Sequence, residues 1–168
     1  MIRTHRTLGL ITAALILVAD QLSKWFVTHP LDLRDRGTIE ILPFFDLKWV
    51  ENYGVSMGFL TANTELGRWL LVALTAAIAT GVAIWLWRER SRADAAALGL
   101  ILGGAIGNIA DRVRFGHVVD FADLHFGDWH PFLVFNVADA AITIGVLLLV
   151  LRALLTREGR TPSEDVHA

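Results

Sequence analysis

Cysteine is missing from all 168 residues, which excludes disulfides, thiol nucleophiles and thiolate metal sites together. Charge is also scarce, at 19% of residues against 54% hydrophobic, a balance unlike that of a soluble domain of this length. The net charge of −2 gives no electrostatic grip on nucleic acid, and no nucleic-acid partner is expected. No two histidines stand at ligand spacing on one helix, so neither a metal site nor a cofactor is read. Ser23 and Ser56 have no evident histidine partner, which disfavours a serine mechanism. The chain carries no internal repeat.

What is present is apolar and gathered into long runs. A span of the bilayer needs about 20 apolar residues, since about 30 Å is crossed at about 1.5 Å per residue. Four segments qualify: Leu8–Val27, Trp69–Trp87, Ala95–Ala110 and a stretch within Phe132–Leu151. The expectation is an all-α membrane protein of four transmembrane helices. Arg3 and Arg6 before the first run resemble a secretory signal, but Asp20 and Lys24 interrupt it and no small-residue cleavage site follows, so a retained span is expected. Gly99, Gly103 and Gly107 share one face of the third span, which suits close helix packing in lipid. Six tryptophans fit an interfacial belt.

Arginines set the orientation. Arg88, Arg90 and Arg92 fill the link between spans two and three, Arg3 and Arg6 precede span one, and Arg152, Arg157 and Arg160 follow span four. The positive-inside rule makes those regions, and both termini, cytoplasmic. Residues from about Thr28 to Arg68 and from Asp111 to Pro131 then face outward, although that side also holds Arg34, Arg36, Lys48, Arg112 and Arg114. In the first outward segment, Ile39–Val50 is rich in aromatic and branched residues and reads as one or two short strands with Pro43 at a break. A small β-sheet between spans one and two is therefore expected, within a β-rich segment 31–60. Residues 157–168 read as a disordered cytoplasmic tail beyond a membrane domain at 1–156.

The polar residues of the spans gather at one depth. Asp20, Gln21 and Lys24 lie toward the outer end of span one. Asn108, Asp111 and Arg112 end span three. Asn136 and Asp139 open span four, with Asp120 and Asp123 in the outer loop before it. Ionisable groups in a span are costly and are retained where they pair or work. Asp20 and Lys24, four apart on one helix face, fit mutual neutralisation as well as a direct role. Arg112 fits snorkelling to headgroups, and Asn108 and Asn136 fit interhelical hydrogen bonding. Asp123 and Asp128 read as solvated loop charges. With metal, serine and cysteine set aside, a carboxylate pair is the remaining peptide-hydrolysing chemistry, one aspartate activating water while the other, protonated, polarises a carbonyl. Spacing permits several pairs among Asp20, Asp111, Asp120 and Asp139. Asp139, with no cation near it in sequence, is the best single candidate, and its partner stays open on these grounds.

Five strings occur in order: Asp20-Gln21-Leu22-Ser23-Lys24, Glu51-Asn52-Tyr53-Gly54, Gly103 to Arg112 (GGAIGNIADR), Gly116-His117-Val118-Val119-Asp120-Phe121, and Phe135-Asn136-Val137-Ala138-Asp139. Together, over about Leu8 to Leu155, they closely resemble the lipoprotein signal peptidases, or signal peptidase II. The resemblance implies an aspartic endopeptidase of the bacterial cytoplasmic membrane that removes signal peptides from prolipoproteins, cutting just before a diacylglyceryl-modified cysteine, and that is sensitive to the cyclic peptide globomycin. It implies Asp120 and Asp139 as the catalytic pair. Asp20, Lys24, Asn52, Gly54, Asn108, Asp111, Arg112 and Asn136 fall on the family's supporting positions, and a lid-like element is implied near Asn52–Phe59. The chain departs from the family at Met57, where an aromatic is frequent, and at Leu133, where a proline is common and the nearest here is Pro131. The implied partners are the lipid-modified prolipoprotein and membrane lipid, and a monomer is expected. The competing expectation is a non-enzymatic four-helix carrier or assembly subunit with a polar core, which accounts for buried charges but not for two outer-loop aspartates beside them.

Overall fold

The computed structural model describes residues 5–54 and 64–158. The lid expected near Asn52–Phe59, with Met57, lies mostly outside the described residues, as does nearly all of the 157–168 tail. In chain order the elements are α1 (Arg6–Thr28), α2 (Leu33–Arg36), β1 (Thr38–Leu42), β2 (Phe45–Asn52), α3 (Glu65–Arg88), α4 (Arg92–Phe115), β3 (Val118–Leu124) and α5 (Val137–Glu158). The long helices α1, α3, α4 and α5 are each long and apolar enough to cross a membrane. Their outward apolar side chains, such as Leu15, Leu74 and Leu147, are exposed and present the surface that hydrocarbon requires.

Helix α4 is the hub. Its spanning window is 56% buried, against 17–22% for the other three, and it packs on α1, α3 and α5. Its composition explains this position. Gly99, Gly103 and Gly107 turn toward α1, so that backbone meets backbone with no side chain between. At Gly107 the neighbour is a functional group: a Cβ there would come within 2.5 Å of Asp20 Oδ2. The expected stripe therefore packs helices and also makes room for a carboxylate. Ser91 caps the helix start by accepting from Asp94 N, and Gly116 (φ +86) ends it in the left-handed region.

Two boundaries differ from the expectation. Helix α4 runs to Phe115, five residues past the apolar run, so Asp111 and Arg112 are helical rather than terminal. Helix α5 begins at Val137, and the apolar residues Phe132 to Phe135 precede it as irregular chain. Hydropathy marks what lipid tolerates and does not mark where backbone hydrogen bonds stop.

The sheet is antiparallel, in the order β1-β2-β3. The first two strands flank a two-residue turn at Pro43-Phe44, as the sequence suggested. The third was read as outer loop, and that reading is corrected: Val118–Leu124 pairs with β2, so the sheet draws on both segments that link the spans on this side. It was missed because Val118–Ala122 is buried on both faces and shows no alternation. Beyond β3, Phe135 continues the pairing through Ala122: Phe135 N donates to Ala122 O at 3.0 Å, and Ala122 N donates back at 2.8 Å. This seam lays the chain entering α5 against β3.

Candidate active site

Two acidic groupings lie side by side, the first fully buried. The first joins α1 to α4. Lys24 Nζ stands 2.9 Å from Asp20 Oδ2 and 2.7 Å from Asp111 Oδ2, with all three side chains at most 5% exposed. Asp20 and Lys24 are one helical turn apart, which the sequence allowed; Asp111 arrives from the facing helix at the level where Gly107 leaves room. Gln21 completes the grouping, its Nε2 donating to Asp20 Oδ2 (3.1 Å) and Asp111 Oδ1 (3.0 Å). Gln21 was recognised as a polar residue of span one but was not among the expected site positions. Its separation from Asp111 by 90 residues left no local signal.

Each carboxylate here also grips a backbone amide. Asp20 Oδ1 accepts from Ala138 N at 3.0 Å, and Asp111 Oδ2 accepts from Val119 N at 3.2 Å. Ala138 precedes Asp139, and Val119 precedes Asp120. One lysine-centred cluster therefore holds the chain immediately before each of the two expected catalytic residues.

The second grouping is that pair. Asp120 sits on β3 with 1% exposure, not in a loop, and Asp139 is in the first turn of α5. The bulge in β2 between Leu47 and Val50 sets Val50 opposite Asp120, so Asn52 is its diagonal neighbour on the same face. Asn52 Nδ2 donates to Asp120 Oδ2 at 2.9 Å, and Asn136 Nδ2 donates to Asp120 Oδ1 at 2.6 Å. Asn108 Nδ2 donates to Asp139 Oδ1 at 2.8 Å. Asn136 also forms a reciprocal cap with Asp139: Asp139 N donates to Asn136 Oδ1 at 2.9 Å, and Asn136 N donates to Asp139 Oδ2 at 3.3 Å. Asn136 thus touches both aspartates. No Lys, Arg or His pairs with either within ion-pair distance among the described residues.

Electrostatics follow from this asymmetry. The Asp120 carboxyl is pushed up from 3.8 to about 6, first because burial penalises its charge, with the nearby Asp139 charge adding to the rise. The Asn52 and Asn136 amides pull the other way, and a more distant Lys24 helps them.

The remaining expected positions fall around these groups. Asn108 Oδ1 accepts from Lys24 Nζ (3.4 Å) and Asn136 Nδ2 (3.3 Å), so it links the two groupings. Asn52 Oδ1 accepts from Gly54 N at 2.9 Å, a tight turn for which Gly54 supplies φ +99. Arg112 Nη1 donates to Asn108 O at 3.5 Å, while its buried Nε has no hydrogen-bond partner among the described residues. Asp123, expected as a solvated loop charge, is corrected: it is 3% exposed on β3 and lies 3.0 Å from His130 Nδ1. A cleft of about 270 Å³ reaches Asp139 from the side of α5, lined also by Phe132, Leu133, Phe135, Thr143 and Ile144. A second cavity of about 250 Å³ opens beside Lys24 and Asp111 and holds neither Asp120 nor Asp139.

This arrangement resembles known proteins in sequence and in shape. The family model described as signal peptidase (SPase) II matches residues 12–155. A lipoprotein signal peptidase of Rhizorhabdus wittichii is 66% identical over 164 residues, covering 98% of this chain and 95% of its own. One from Sphingopyxis alaskensis is 59% identical over 150 residues, covering 89% and 87%. A bacterial membrane enzyme solved by the in meso method at 2.3 Å resolution superposes with a TM-score of 0.77 at 26% identity, over 93% of each chain.

Proposed function

The chain belongs to the signal peptidase II family, and from that premise we propose that Asp120 and Asp139 are the catalytic pair with which it cuts lipid-modified prolipoproteins. It is a multi-pass membrane protein and a lipoprotein signal peptidase, which sets aside the carrier reading. The observation that carries the dyad assignment is the contrast at the site. Asp20 and Asp111 are committed to Lys24 and to backbone, whereas Asp120 and Asp139 face side-chain amides and have no ion-pair partner among the described residues.

Two carboxyls in one site do not both ionise cheaply, so the pair holds one proton up to about pH 6, in keeping with the raised value at Asp120. The ionised member takes a proton from water as the water oxygen bonds to the scissile carbonyl carbon. The protonated member gives its proton to the carbonyl oxygen. Collapse of the tetrahedral species breaks the C–N bond: the leaving nitrogen receives the proton taken from water, and a hydroxyl of the gem-diol returns its proton to the other carboxylate, which restores the pair. Asn136, bonded to both carboxyls, fixes their separation. The cleft at Asp139 is apolar, which suits a substrate whose acyl chains stay in the bilayer.

The arginine distribution supports cytoplasmic termini and a site near the outer face of the cytoplasmic membrane, with the three-stranded sheet outside it. On this reading residues 1–156 form one monomeric peptidase domain, including the β-rich 31–60 segment, followed by a tail. The test is cleavage of a diacylglyceryl-modified prolipoprotein by purified protein, with globomycin as inhibitor and with Asp120→Asn and Asp139→Asn beside the wild type. Loss of cleavage in both folded variants supports the dyad; cleavage surviving both substitutions removes it.

A further inference from the structure

The link between β3 and α5 carries an apolar finger that the chemistry above does not use. Phe126 N donates to Trp129 O at 2.9 Å, and Trp129 N donates back at 3.3 Å, closing a two-residue hairpin in which Gly127 has φ +62. The Phe126 and Trp129 rings pack with centroids 5.9 Å apart. His130 Nδ1, 3.0 Å from Asp123 Oδ1, ties the base of the finger to β3. The finger is thus a built element. Yet its apolar side chains meet little protein: Phe126 is 61% exposed, Trp129 64%, Phe132 62% and Leu133 91%. These exposed apolar side chains, interrupted by the exposed Asp128 and His130, mark an interaction surface.

Its position says what covers it. Phe132 and Leu133 line one cleft with Thr143 and Ile144 of α5. Ile144 lies seven residues into that helix, about 10 Å from its start along the axis. Residues that precede a helix share a cleft with its second turn only by folding back along its flank. That flank is apolar and unpartnered, with Ile144, Leu147 and Leu151 exposed in helical register on a helix that spans the membrane. The outer surface of the finger is therefore continuous with the surface that α5 presents to hydrocarbon.

We infer that residues 126–133 form a membrane-inserted finger whose occupant is bilayer lipid, with Trp129 at the headgroup level and Leu133 among the acyl chains beside the Asp139 cleft. The inference deepens the proposed function, because it sets the mouth of that cleft below the headgroups, where a lipid-modified chain enters from the side.

The native chain has no cysteine, so an introduced one is the sole thiol. Leu133→Cys and Trp129→Cys are nitroxide-labelled in nanodiscs of phosphatidylethanolamine and phosphatidylglycerol. Leu147→Cys gives the hydrocarbon reference and Glu40→Cys, on β1, the aqueous one. The finger predicts a position-133 label open to dissolved oxygen and shielded several-fold from an aqueous nickel chelate, close to the Leu147 reference, with position 129 between the two references. A position-133 label as open to nickel as Glu40 overturns the inference. So does shielding that appears only with dipolar broadening between chains, since a second copy is then the cover. The readout needs no turnover, so it fails or holds separately from the dyad.

Discussion

Lys24 divides four aspartates at this end of the helices into two kinds. Asp20 and Asp111 are within 2.9 Å of its ammonium, and each spends a further oxygen contact on a backbone amide. Asp120 and Asp139 are held by Asn52, Asn108 and Asn136, which offer hydrogen bonds without charge. On the proposed assignment the same residue type is glue in one place and exchanges a proton in the other. A buried carboxylate that is neutralised adds rigidity; one that is only hydrogen-bonded keeps a titration within reach of neutral pH. The two groupings are also joined, since Asp20 and Asp111 hold the backbone just before each member of the dyad.

The comparison breaks most visibly if the two kinds can be exchanged. Asp139→Asn is expected to keep the wild-type melting temperature and lose turnover by about 10⁴-fold, the upper range for a positioned acid or base. Initial rates at saturating substrate, with melting curves on the same samples, check this.

Lys24→Met is expected to show the opposite pattern. It leaves two buried carboxylates without a counter-charge and should destabilise the fold by about 3–5 kcal/mol, read by denaturation in detergent. A Lys24→Met protein as stable as wild type would mean that Asp20 and Asp111 are not committed as described.

A third effect is pH-dependent. The Asp120 carboxyl is raised from 3.8 to about 6, so between those values the fold binds a proton that the unfolded chain has released. Its stabilising contribution is complete below the ordinary value and is lost as pH rises to about 6, at most about 3 kcal/mol. The melting temperature of wild type relative to Asp120→Asn should therefore fall across that window and stay level above it.

The smallest effect concerns the link. Asn108→Ala removes the donor to Asp139 and the acceptor shared by Lys24 and Asn136, and should cost about 1–3 kcal/mol. A double-mutant cycle with Lys24 measures how far the two groupings are coupled.

How much of this was legible in the chain depended on range. The spans follow from apolar runs, and Asp20 with Lys24 follows from a one-turn spacing. Asp139 stood out because no cation neighbours it in sequence. Asn136 and Asp139 also carried a local signal that composition alone passes over: Asn at the cap with Asp three residues on is the pattern of a reciprocal cap, and it places the start of α5 at Val137 rather than at the first apolar residue. Other features were hidden for physical reasons. Val118–Leu124 lacks the alternation of a half-buried strand because it is covered on both faces, so Asp120 and Asp123 were assigned to a loop and Asp123 to water. The Lys24–Asp111 pair and the Gln21 bridge join residues nearly 90 positions apart, and only helix packing at Gly107 brings them together. Spacing leaves Asp20, Asp111 and Asp120 as possible partners of Asp139, and only the family resemblance points to Asp120.

The asparagine-held pair is proposed to hold one proton up to about pH 6. Infrared spectroscopy of the membrane-reconstituted protein, following the C=O stretch of protonated carboxyl groups through a pH titration, tests it most directly. The account predicts a buried protonated carboxyl that titrates near pH 6, disappears in Asp120→Asn and shifts in Asp139→Asn. A titrating band that persists unchanged in both variants, or no protonated carboxyl at pH 5, would contradict it.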